Sequence, residues 1–149
     1  MVSYFEETQR FRQPWLLAVL VVVAAVSLAG IVRREEGWWA ALLGPAVVAF
    51  VWSIRFRTEV RDDGVYLRFA PFHRRERVVP FAALDSVTRV TYRPLRDFGG
   101  WGIRRGREGW AYTTDGREGV RLEYGGETLL VGSRRPEELM RAIERARGA

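Results

Sequence analysis

The chain has 149 residues, a formal net charge of +6, no Cys and one His, His73, and all 24 of its basic residues are Arg. These counts exclude disulfides, thiolate nucleophiles, Cys-based metal sites and any site that needs two His ligands, so neither a metal nor another cofactor is expected. A set of guanidinium groups keeps its charge and offers planar forks to phosphate, which suits nucleic acid or an anionic membrane surface; a biased genome composition would produce the same usage.

Residues 1–14 read as a short segment ahead of an apolar region that fills 15–54. Two uncharged runs, 15–32 and 38–54, each reach roughly 26 Å as helices, close to a hydrocarbon core. Both are apolar all round. Trp15, Trp38, Trp39 and Trp52 sit at or near their ends, and Arg10, Arg12, Arg33, Arg34, Arg55 and Arg57 flank them, as interface anchors do. The link Arg33-Arg34-Glu35-Glu36-Gly37 is short enough to make the helices antiparallel neighbours, and Pro45 should free the Ala41 carbonyl and kink the second. The expectation is a transmembrane hairpin. Its Arg excess on the outer flanks puts both termini and the following domain in the cytoplasm of a multi-pass cell-membrane protein. Cleavage of the first run as a signal peptide is disfavoured by Glu6 and Glu7 and by the second run close behind.

From residue 55 to 149 the pattern changes to short alternating segments. Thr58–Arg61, a turn at Asp62-Asp63-Gly64 and Val65–Phe69 predict a β-hairpin with Val65, Leu67 and Phe69 on one face. Further strands are predicted at 75–79 and 87–92. Trp110–Thr114, a turn at Asp115-Gly116 and Val120–Tyr124 predict a second hairpin, and Gly125-Gly126 turns the chain into Thr128–Val131. Pro136, the acidic Glu137 and Glu138, and apolar Leu139, Met140, Ala142, Ile143 and Ala146 predict a C-terminal amphipathic helix over 136–147.

No motif carries a recognisable reaction. Gly99-Gly100-Trp101-Gly102-Ile103-Arg104-Arg105-Gly106 has Arg105 where a dinucleotide fingerprint needs its third Gly, and a P-loop needs a Lys. Asp62 with Asp63, and Glu35 with Glu36, read as turn chemistry, and His73 as an exposed turn residue. Ser86 and Ser133 have no nucleophile-elbow context, and Ser133 fits a helix start. The Gly-rich stretch reads either as a structural hairpin loop or as a contact loop. In the second case Phe98, Trp101 and Ile103 touch a membrane or partner while Arg104, Arg105 and Arg107 face anions. Aromatics interleaved with Arg over Tyr92–Phe98 would suit nucleic acid, but a bilayer tether argues against it.

The segments Phe11-Arg12-Gln13-Pro14-Trp15, Val79-Pro80-Phe81, Leu84 with Val87, Gly100–Arg104, Gly119-Val120 and Gly132–Leu139 carry, in that order, a resemblance over nearly the whole chain. It resembles small uncharacterised prokaryotic membrane proteins in which a transmembrane hairpin precedes a bacterial pleckstrin-homology (PH)-like domain. The resemblance implies an α+β membrane protein: the hairpin, then a mostly antiparallel PH-like β barrel of about seven strands closed by one C-terminal helix. It implies no reaction. The functional expectation is a non-enzymatic PH-like binding or assembly module on the membrane. Its partners would be the lipid bilayer, and anionic headgroups or another membrane protein. The alternatives are an anionic-lipid surface sensor and a membrane enzyme whose site the sequence hides.

Overall fold

A computed structural model describes residues 3–11, 14–33 and 39–148. The architecture is α+β. Among the described residues, four helices and one 3-10 turn accompany nine strands in two sheets.

The segment ahead of the apolar region is itself a strand, β1 (Ser3–Arg10). It leads into α1 (Pro14–Arg33), and α2 (Trp39–Ser53) returns the chain to β2 (Arg55–Arg61). Strands β1 and β2 are antiparallel partners, with Gln9 opposite Phe56 and Arg10 opposite Arg55. The helical pair is therefore an insertion at the tip of a β-hairpin. Strand β3 (Gly64–Ala70) follows over the two-residue turn Asp62-Asp63, and β4 (Arg77–Pro80) completes a sheet ordered β1-β2-β3-β4. Within β3, Val65, Leu67 and Phe69 are buried and Arg68 is exposed, as the alternation requires.

The second sheet holds β5 (Leu84–Thr91), β6 (Gly102–Gly106), β7 (Gly109–Thr113), β8 (Glu118–Tyr124) and β9 (Glu127–Gly132), in the order β5-β8-β9-β7-β6. Strand β9 separates the two segments expected to pair as a hairpin. It is antiparallel to β8 through the Gly125-Gly126 turn and parallel to β7. A parallel neighbour needs a crossover connection, which the run β8–turn–β9 supplies.

The core lies between the sheets and under α4 (Pro136–Gly148). Phe56, Val60, Leu67 and Val79 meet Leu122, Leu129 and Val131, and Leu139, Ala142, Ile143 and Ala146 cover them. Burial of a side chain such as Leu139 or Ile143 contributes about 1.5–3 kcal/mol. Arg77 ties the sheets at one side. Its guanidinium donates to the Tyr112 hydroxyl at 3.2 Å and the Tyr124 hydroxyl at 2.6 Å.

Two expectations are corrected here. In place of one barrel of about seven strands there are two sheets, of four and five strands. The apolar runs do form helices and pack on each other, yet no helix among the described residues is long and apolar enough to cross a membrane. Helix α2, with 15 residues, reaches only about 22 Å at 1.5 Å per residue, short of a hydrocarbon core of about 30 Å. The transmembrane hairpin, and the multi-pass placement with cytoplasmic termini that rested on it, are thereby overturned. Helix α2 continues through Pro45. The helices approach closely at Gly44, where a Cβ would lie 3.3 Å from the Ser27 hydroxyl oxygen and 3.6 Å from the Ala24 Cα. Arg12, the link residues Arg34–Gly37 and Trp38 lie outside the described residues.

Candidate functional site

The described part of the helical pair presents apolar side chains outward. Leu17, Val21, Val22, Val26, Leu28 and Val32 of α1 are exposed, as are Leu42, Leu43, Phe50 and Trp52 of α2. A folded monomer seldom exposes so extended an apolar surface unless something covers it.

At the base of the pair, cations and rings collect because β1, β2 and two loops converge there. The Arg10 guanidinium lies 5.8 Å from the centroid of the Trp52 ring. Arg55 starts β2 opposite Arg10 and is exposed. Phe72 in the β3–β4 loop stacks edge-on against Phe50 of α2, with centroids 6.1 Å apart. Arg74 and Arg75 follow it in the same loop and are exposed. His73 is half-buried, contrary to the exposed position expected of it, with its ring 5.5 Å from Tyr112. Burial, reinforced by the nearby Arg77 charge, holds its pKa below the usual value.

The other side of the base is built by α3 (Pro94–Phe98) and the turn into β6. Pro94 starts this helix, and the Asp97 carboxylate accepts the Arg93 N–H at 2.7 Å. Gly99, at φ 68°, ends it in the left-handed region that only Gly adopts at little cost. The turn brings Gly99, Gly100, Trp101 and Arg104 against the hairpin base. Together with Phe11, Leu16, Val51, Ile54 and Leu95 they enclose a cleft of about 500 Å³. Among the described residues Arg104 is its one charged side chain; its Nε donates to the Trp101 carbonyl at 3.2 Å. The Trp101 indole N–H donates to the Gly116 carbonyl at 3.4 Å.

The six residues expected to form one contact loop are therefore divided. Ile103, Arg104 and Arg105 belong to the edge strand β6 and pair with Tyr112, Ala111 and Trp110. Trp101 and Arg104 reach the cleft at the hairpin. Ile103 packs on the main core. Phe98 lies edge-on to Tyr92 at 6.2 Å, on the outer face of the five-stranded sheet. The Arg105 guanidinium sits 5.8 Å from the Trp110 ring. Arg107, in the β6–β7 turn, is at the opposite end of the strand. There it lines a second, more polar groove of about 550 Å³ with Arg96, Arg121, Glu108 and Trp110. Within that groove Arg121 is held by Glu108 at 2.5 Å.

The sequence placed Arg10 and Arg55 beside the apolar runs but gave no sign of Phe72, which packs on Phe50, or of the loop that carries Arg74 and Arg75. The flanking Arg residues were visible, but the approach of the β3–β4 loop has no local signature. Among the described residues no group of three or more acidic or His side chains is placed to hold a metal. The chain matches no protein-family model, no curated protein and no solved structure.

Proposed function

We propose that this chain is a non-catalytic binding module that seats on an anionic lipid surface. Its apolar helical pair lies among acyl chains, and Arg10, Arg55, Arg74 and Arg75 lie against phosphates. The observation that supports this most is the juxtaposition at the base of the pair: a broad outward-facing Val/Leu surface bordered by Trp52, Phe72 and arginines. Aromatic rings and guanidinium groups that border an apolar surface suit the headgroup level, where the rings stay amphipathic and the cations meet phosphate. Each Arg close to an anionic leaflet contributes on the order of 1 kcal/mol, reduced by salt.

Flotation of the full chain with vesicles tests the reading. Binding to phosphatidylglycerol-containing vesicles should exceed binding to pure phosphatidylcholine and weaken as salt rises. Changing Arg10, Arg55, Arg74 and Arg75 together to Gln should lower the affinity by at least about tenfold, the equivalent of ~1.4 kcal/mol. Equal binding to neutral and anionic vesicles, insensitive to salt, would overturn it.

A further inference from the structure

The cleft between the hairpin base and the α3–β6 turn is mostly apolar. Its walls are the aromatic rings of Phe11 and Trp101 and the aliphatic groups of Leu16, Val51, Ile54 and Leu95, and among the described residues its one charge is the Arg104 guanidinium. Gly99 and Gly100 also line it, without side chains. About 500 Å³ is a volume typical of small-molecule sites, which pair mostly apolar walls with one or a few polar groups that fix orientation.

We infer that this cleft is a binding site for a single anionic glycerophospholipid, with an acyl chain between α1, α2 and the turn and the phosphate against Arg104. The occupant follows from two features. The cleft lies at the foot of the helical pair, since Leu16 and Val51 belong to α1 and α2. The Arg104 Nε is occupied by the Trp101 carbonyl, which orients the guanidinium; its two terminal nitrogens, with no hydrogen-bond partner among the described residues, can meet an anion in a forked arrangement. A neutral apolar ligand would leave that cation unused, and a water-soluble anion would leave the aromatic and aliphatic walls uncovered. The inference rests on the lipid-surface reading and adds a stoichiometric, headgroup-selective site to it.

Native mass spectrometry of the full chain, released from a non-ionic detergent with equimolar phosphatidylglycerol and phosphatidylcholine, tests it. The expected result is one retained phosphatidylglycerol per chain. Arg104→Gln removes the cation, and Leu95→Glu sets a carboxylate at the mouth from a position that is 69% exposed, so the fold should survive. Each should lower the phosphatidylglycerol-bound fraction about tenfold, the scale of one charge-assisted contact, and Arg104→Lys should restore part of it. Circular dichroism melts matching the parent chain show that the variants are folded. Undiminished retention in both variants, or equal retention of the two lipids by the parent chain, would overturn the site. Vesicle flotation separates this from the broader reading. If the parent chain retains phosphatidylglycerol yet fails to float with anionic vesicles, the surface reading is lost and the cleft stands. If Leu95→Glu floats normally but retains no lipid, both stand.

Discussion

Gln9 is almost completely buried although its side chain ends in a polar amide. Its amide donates to the Gly132 carbonyl at 2.9 Å, and its carbonyl accepts from the Thr114 hydroxyl at 2.7 Å. Two residues earlier, the buried Glu7 carboxylate accepts the Ser133 hydroxyl at 2.6 Å and the Arg134 backbone N–H at 3.1 Å. The Ser133 oxygen in turn accepts the Arg135 N–H at 3.0 Å just ahead of α4. These contacts bind the first strand to the junction of β9 and α4. Gln9→Leu keeps the volume but strips the Gly132 carbonyl of this partner, and should cost about 1–3 kcal/mol, read as a lower midpoint in urea denaturation. Glu59 gives a pH signature. The hydrogen bond from Arg61, with the Arg61 and Arg57 charges, holds its carboxyl below the usual 4.5. A carboxyl with a depressed folded-state pKa adds stability that is present above its unfolded pKa and is lost as pH falls through the folded value. Glu59→Gln should therefore flatten the fall in stability below about pH 4.5 in a series of denaturant titrations, and change little in slope above pH 6.

At the scale of elements, the helical pair interrupts a hairpin that would otherwise be ordinary. Because Arg10 and Arg55 are already opposite each other, a two-residue Asn-Gly turn can join them, its left-handed backbone matching the strand twist. A chain with residues 11–54 replaced by Asn-Gly is expected to unfold cooperatively on heating and to keep its β-type circular dichroism. A chain that instead begins at residue 57 loses Phe5, Glu7, Gln9 and Phe56, all of them buried, and should be insoluble or lack a cooperative melt. The contrast between the two chains tests whether β1 is integral to the sheet. The pairing of β1 with β2 means that the four-stranded sheet draws on residues ahead of the apolar region. The inward positions of β1 are Phe5, Glu7 and Gln9, so apolar alternation is absent and the strand cannot be seen from its own residues. Helix α4 was legible for the opposite reason: its buried residues Leu139, Ala142, Ile143 and Ala146 repeat at helical spacing.

For the whole molecule, the two chemistries are segregated. The sheets and α4 bury one shared core, whereas the helical pair turns its apolar groups outward. The Asn-Gly chain retains Arg10, Arg55, Arg74 and Arg75 but lacks the apolar surface, so its vesicle binding should be weak and fully reversed by moderate salt, whereas the full chain should retain a salt-resistant fraction. Co-flotation of both chains over a salt series reads this directly. Equal salt sensitivity would mean that the helices contribute nothing to the surface interaction.

Local elements whose periodicity or turn chemistry is self-contained are legible in the sequence alone. Those are two apolar helices in succession, the β2–β3 hairpin around Asp62-Asp63, the β8–β9 hairpin around Gly125-Gly126, and the closing amphipathic helix. Tertiary structure decided what depends on distant pairing. Strand β9 entered between β7 and β8, β1 joined β2 across forty-odd residues, and Ile103 turned into the core while Arg104 turned to the hairpin. Strand order is set by which apolar faces can be buried together, and a short segment's composition carries no record of its neighbour. The membrane-spanning expectation failed on a related point: hydropathy reports how apolar a run is, while the length and apolarity of the helix that forms decide whether it can cross.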